Sequence, residues 1–240
     1  MFLPRRLLFL PQDLGYLPSY IEHRVSVCYH KRMKLYLSSA GVPNTKELLK
    51  LFPQGAELTV AIVPNARDFY PAVIRTQEVD VLQKTLAGIG FVPTLIDLVN
   101  MKGSQLQDEL SKYSLIWFMG GNTFYLNYIV RESGLLGFIR PLLENGLVYG
   151  GESAGAVLAS ATLHGVELMD DPKEAPEVIW DGLGLVDIGI VPHWGMEKYA
   201  QILEKCKVEM QKYVEVKTLT NDQALISVDG IVRLVEKEQK

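Results

Sequence analysis

The chain has 240 residues, 48% hydrophobic and 22% charged, which is enough apolar material for the core of one large domain. Its formal net charge is −4 with lysines and arginines dispersed, so there is no basic stripe for nucleic acid, and no apolar run approaches the roughly 18 residues that a membrane span needs. Two cysteines, Cys28 and Cys206, form neither a disulfide framework nor a CxxC metal motif, a usage that favours a reducing, cytoplasmic location.

Residues 1–32 differ in character from residues 33–240. They hold five basic and two acidic residues, a net +3 that leaves −7 on the remainder. Pro4, Pro11 and Asp13 interrupt their apolar run and no A-x-A site comes after it, which argues against a signal peptide. The expectation is a poorly ordered or non-native extension, with an interaction arm as the alternative, ahead of a domain spanning 33–240.

From Met33 the pattern alternates. Residues 34–39 read as a strand and 45–52 as a helix with Asn44 as a candidate N-cap. Residues 58–64 form a buried-type strand, 70–89 an amphipathic helix, 91–98 a third strand, 104–113 a helix and 114–119 a fourth strand. "GGNTFYLNYIV" turns into a helix, "LLGFIRPLLENG" gives another, and "LVYGG" is a fifth strand. The last third is less regular: "GLVDIGIVPHW", a helix over 196–213, then the short strands "EVKTLT", "ALISV" and "IVRLV". This βαβα rhythm predicts an α/β fold, a doubly wound, mostly parallel sheet with helices on both faces. In such sheets ligands bind beyond the carboxyl ends of the strands, where "FMGGN", "YGGESAG" and "IVPHW" fall.

"Gly151-Glu152-Ser153-Ala154-Gly155" fits the G-x-S-x-G nucleophile elbow, between a strand and an alanine-rich segment as that motif requires. Small residues two before and two after the serine let the backbone fold back, and a helix starting there aims its positive end at the serine. The Ala154 N–H is placed to donate to an oxyanion, and Gly120 or Gly121 supplies a candidate second donor. A glycine-rich capped turn is the bland reading of either segment.

A serine needs a base. After Met33 there are two histidines: His193 ends an apolar strand and is the favoured base, with Pro192 stiffening the backbone and Trp194 as a shield. His164 is read as a surface or packing residue. The loop "ELMDDPKEAPE" offers Glu167, Asp170 and Asp171 as orienting carboxylates, or is simply a solvated acidic loop. No ligand spacing suggests a metal and no fingerprint suggests a nucleotide, so neither metal nor cofactor is expected.

"GGNTFYL" (120–126), "GESAGAV" (151–157), "MDD" (169–171), "GLGLVD" (182–187) and "PH" (192–193), in that order, resemble the aspartyl dipeptidase, or peptidase E, family of serine peptidases. The resemblance covers Met33 to about Val235 and implies a sheet related to class I glutamine amidotransferases. It further implies Ser153 as nucleophile, His193 as base, Asp170 as the orienting acid, and an oxyanion hole from Gly120 or Gly121 with Ala154. Members that require an N-terminal aspartate are expected to pair it with a cation, often arginine, near the histidine. Here no arginine occurs between Arg140 and Arg233, and Lys198 is the candidate in its place. Asn122, Glu152 and Lys198 are the candidate substrate contacts. The expected activity is hydrolysis of short peptides by a monomer or homodimer, as a dipeptidase with a preference for N-terminal aspartate. A hydrolase of branched aspartyl peptides such as cyanophycin and a non-catalytic binding module are the alternatives.

Overall fold

The computed structural model describes residues 33–239; the expectations for 1–32 lie outside the described residues. Five short strands, β1 (Lys34–Ser38), β2 (Thr59–Val63), β3 (Val92–Leu95), β4 (Leu115–Phe118) and β5 (Val148–Glu152), pair in parallel in the order β3-β2-β4-β5-β1. A hairpin of β8 (Gln223–Val228) and β9 (Ile231–Glu236) extends the sheet antiparallel beyond β1. The doubly wound, mostly parallel sheet is therefore as the strand pattern predicts.

Successive strand residues point to opposite faces, and both faces are covered. Leu35, Leu37, Ala61, Val63, Ile116, Phe118 and Tyr149 share one cluster with α3 (Gly103–Leu110), α4 (Thr123–Glu132) and α5 (Ile139–Glu144). Tyr36, Val60, Ile62, Leu115, Trp117 and Val148 face the other way, against α1 (Thr45–Leu49) and α2 (Ala72–Gly88). Among the described residues no helix is long and apolar enough to cross a membrane.

The sequence pattern ends an apolar strand at His193, near where Ser153 emerges. The structure gives it a separate partner: β6 (Ile188–Val191) pairs in parallel with β7 (Glu215–Thr218) in a two-stranded ribbon, because β8 already occupies the free edge of β1. The ribbon is fastened by α7 (Ala200–Met210), through a third cluster containing Val157, Val191, Leu203, Cys206 and Met210. Val157 belongs to α6 (Ala154–Val157), so this cluster ties the histidine ribbon to the segment just after Ser153.

The helix expected after the serine is a single turn, so alignment of its dipoles contributes less than a full helix would. Packing holds it in its place. A Cβ added to Gly155 would lie 2.2 Å from the Phe118 carbonyl oxygen, so only glycine lets the turn approach β4 this closely. The buried Tyr149 hydroxyl donates to the Gly155 carbonyl oxygen at 2.7 Å, fixing the same turn from β5. Gly155→Ala is therefore expected to destabilise the protein by about 1–3 kcal/mol through overpacking against unyielding backbone. Urea unfolding would check this, and a loss under about 0.5 kcal/mol, the range of an inconsequential surface change, would show that the turn moves aside freely.

Candidate active site

Many of the residues that face one cavity of about 550 Å³ come from the carboxyl ends of parallel strands. Ser39 follows β1, Arg67 follows β2, Gly120 and Gly121 follow β4, Ser153 follows β5, His193 follows β6 and Asn221 follows β7. This is the position the topology predicts for a ligand site.

Ser153 has φ 50° and ψ −114°, a conformation that L residues avoid and that stores strain at the turn. His193 has φ 62°, also in the left-handed region. Its backbone N–H donates to the Ser39 hydroxyl at 2.7 Å, and the next residue, Trp194, donates its N–H to the Leu219 carbonyl at 2.9 Å. Held in this way, His193 Nε2 lies 2.9 Å from Ser153 Oγ.

The third partner differs from the resemblance. His193 Nδ1 is 2.8 Å from Asn221 Oδ1, which also accepts from the Ser39 hydroxyl at 3.1 Å. A carbonyl oxygen accepts only, so Nδ1 carries the proton and Nε2 presents its lone pair to the serine. Asn221 is exposed, so this outer bond faces solvent. Asp170 lines the same cavity, but its carboxylate accepts the Thr123 backbone N–H at 2.8 Å and caps the start of α4. Desolvation pushes the Asp170 carboxyl above its usual range, opposed by the Thr123 hydrogen bonds and by the charge of His193. Asp170 therefore shares the cavity with His193, while Asn221 accepts the hydrogen bond of Nδ1. Asp171, the adjacent candidate, caps a short turn by accepting the Lys173 N–H at 3.0 Å.

Gly120, Gly121 and Ala154 all line the cavity, and among the described residues their backbone N–H groups have no acceptor. They are available to an oxyanion. A Cβ on Gly121, where φ is +144°, would lie 2.1 Å from the Ala66 carbonyl oxygen, so this turn admits glycine alone.

The candidate substrate contacts separate. Glu152 lines the cavity, accepts the Gly41 N–H at 2.6 Å and meets Arg67 at 3.4 Å. Asn122 does not line it: its side chain accepts the Tyr125 N–H to cap α4 and donates to the Asp171 carbonyl. Lys198 lies outside the wall as well, its ammonium 4.9 Å from the Tyr199 ring centroid. Trp194 packs against the third cluster, with the Lys207 ammonium 4.9 Å from its ring centroid, and does not line the cavity. His164 is a packing residue, stacked between Trp180 and Tyr213 at centroid distances of 4.6 and 4.3 Å. Arg67 and Asn221 are not singled out by sequence motifs. Both come after parallel strands, in "AIVPNAR" and "EVKTLTN", so testing every strand end rather than the glycine-rich ones would have raised them.

Burial of Asp170 makes stability depend on pH. Its folded pKa lies above the ordinary carboxylate value, so as pH rises the unfolded chain loses its proton first and the folded state loses stability. Asp170→Asn keeps an acceptor for Thr123 without the buried charge. It is expected to raise the thermal midpoint at pH 7, and the gain should shrink toward zero as pH falls below about 4, the ordinary aspartate value. A midpoint that drops at pH 7 would show that the ionised carboxylate stabilises the fold.

Comparison with known proteins fits this site. The family model for peptidase family S51 matches residues 35–235. An uncharacterized peptidase of Listeria innocua is 28% identical over 172 residues, covering 71% of this chain and 81% of that protein. A peptidase E of Nostoc is 26% identical over 171 residues, 68% of this chain and 66% of that one. A probable alpha-aspartyl dipeptidase of Drosophila melanogaster is 33% identical over 152 residues, 62% of this chain and 57% of that one. The crystal structure of a Listeria monocytogenes protein provisionally named peptidase E superposes with a TM-score of 0.76 at 25% identity, covering 86% of this chain and 99% of that one. With its matched span reaching from β1 into β9, the chain belongs to peptidase family S51 and is a serine peptidase.

Proposed function

We propose that this peptidase hydrolyses short peptides, with Ser153 as nucleophile, His193 as general base and Asn221 as the residue that orients His193. The observation that carries the reading is the 2.9 Å contact between Ser153 Oγ and His193 Nε2 at a strained strand-to-helix turn. Ser153 Oγ attacks the scissile carbonyl while its proton passes to Nε2. The oxygen that becomes negative is met by the N–H of Ala154 together with that of Gly120 or Gly121. The imidazolium then protonates the leaving amine, and a water activated by the same nitrogen hydrolyses the acyl-enzyme.

The two duties of an orienting acid are divided here. Asn221 holds the ring in the productive tautomer, as a neutral acceptor. The nearby Asp170 carboxylate supplies the negative field that favours the imidazolium as it forms. A cavity of about 550 Å³ suits a peptide of a few residues, and relatives named dipeptidase and peptidase E support that size class. The resemblance also implies a preference for N-terminal aspartate, but Lys198, its intended partner, lies outside the cavity wall.

Ser153→Ala is expected to lower kcat by about 10⁶-fold with an unchanged circular dichroism spectrum, and to abolish labelling by a fluorophosphonate. Labelling that survives the substitution would overturn the assignment. Asn221→Ala is expected to lower kcat by about 10²-fold or more and to change the pH–rate profile, the loss of tautomer control alone reaching about 10⁴-fold in serine triads. Asp170→Asn should cost less than Asn221→Ala; the reverse order would return the orienting role to Asp170.

A further inference from the structure

We infer that the cavity beside Ser153 selects peptides with a free N-terminal ammonium group and an uncharged first side chain, and discriminates against N-terminal aspartate. This rests on the reading of Ser153 as a peptidase nucleophile.

The charges on the wall are unequal. Glu78, Glu152 and Asp170 face the cavity, and Arg67 is the one lysine or arginine among the described residues that lines it. Three carboxyl groups therefore share the wall with a single guanidinium. Arg67 is also already engaged. One of its terminal nitrogens pairs with Glu78, the other meets Glu152 at 3.4 Å, and its guanidinium sits 5.7 Å from the Tyr70 ring centroid. The side chain is only 13% exposed, so it is held in that arrangement. A guanidinium recognises a carboxylate by presenting two parallel N–H groups; here Nη1 and Nη2 each meet one of the protein's own glutamates, and Nε is buried without a hydrogen-bond partner. A substrate carboxylate would have to displace one of them and enter a field of its own sign.

An ammonium meets the opposite situation. Among the described residues the Arg67 pair is the one hydrogen bond of Glu78, which projects from α2 with its side chain 44% exposed. Its other carboxylate oxygen is open to a cation. The rest of the wall near α7 is apolar, formed by Val157, Met169, Met196, Ile202 and Leu203, and takes a side chain without charge. Peptide N-termini bring both features together: an ammonium for the glutamate and an apolar residue for the wall. The pocket is built for a small amino-peptide of that kind, with the scissile carbonyl reaching Ser153.

The test measures kcat/KM of the full chain on Ala-Leu, Met-Leu, Leu-Leu, Asp-Leu and N-acetyl-Ala-Leu, alongside fluorophosphonate labelling of Ser153. Free uncharged dipeptides should be cleaved best, with Asp-Leu about a hundredfold slower and the acetylated peptide at least about tenfold slower, the scale of a mispaired or missing charge. Glu78→Gln should raise KM for Ala-Leu by about tenfold with kcat little changed, and should narrow the gap to Asp-Leu. Asp-Leu cleaved faster than Ala-Leu, or the acetylated peptide cleaved equally well, would overturn the inference. A labelled Ser153 with no cleavage of the uncharged dipeptides would overturn the specificity alone, whereas absent labelling would remove the peptidase reading on which it stands.

Discussion

The hydrogen bond between Ser153 Oγ and His193 Nε2 is the contact around which the rest of the molecule is arranged. Each of its two residues sits at positive φ, a conformation that costs about 1–3 kcal/mol for a non-glycine residue and persists only where the surroundings impose it. The surroundings are specific. On the serine side, Gly155 packs onto the Phe118 carbonyl and Tyr149 bonds the same turn from below. On the histidine side, the Ser39 hydroxyl, the Leu219 carbonyl and the Asn221 side chain each hold one part of the residue. Neither residue could adopt its geometry on an isolated strand.

The sheet makes this convergence possible by bringing strand ends from distant parts of the chain to one rim. Ser39 shows how closely they are interlocked: its hydroxyl accepts from the His193 backbone and donates to Asn221, linking β1 to the ends of β6 and β7. Because β6 and β7 form their own ribbon, the histidine is carried by a unit that packs on α7 and α6 rather than by the main sheet. The position of His193 relative to Ser153 therefore depends on apolar packing in the third cluster as well as on the hydrogen bond itself. A change in Val157 or Leu203 would reach the site through that packing.

The electrostatics of the site obey the same logic of divided roles. The Asn221 amide oxygen meets the imidazole, the Asp170 carboxylate lies in the same cavity bonded to Thr123 instead, and the carboxylates of Glu78 and Glu152 engage Arg67. Asp170 also satisfies the first amide of α4, where the segment from Gly120 to Thr123 must be held still beside the serine.

The strands, the two-faced burial and the elbow were all legible in the sequence, because each depends on local rules. Short apolar runs bounded by turn residues, such as "LTVAIVP" and "SLIWFM", fit buried strands, and a serine between glycines at a strand end fits the elbow motif. His193 was legible for the same reason, as a polar residue closing an apolar strand. The hydrogen-bond partner of Nδ1 was not. Asp170 and Asn221 both lie on loops that return to the cavity, and residue type alone favours the carboxylate. Only tertiary placement could decide between them, since the amide of Thr123 claims one and Ser39 and His193 claim the other. Arg67 was hidden for a related reason: its meaning comes from Glu78 and Glu152, which are 11 and 85 positions away and meet it only when β2, α2 and β5 are packed. Local periodicity and turn chemistry can be read along the chain, whereas which charge faces which depends on contacts that exist only after the sheet has assembled.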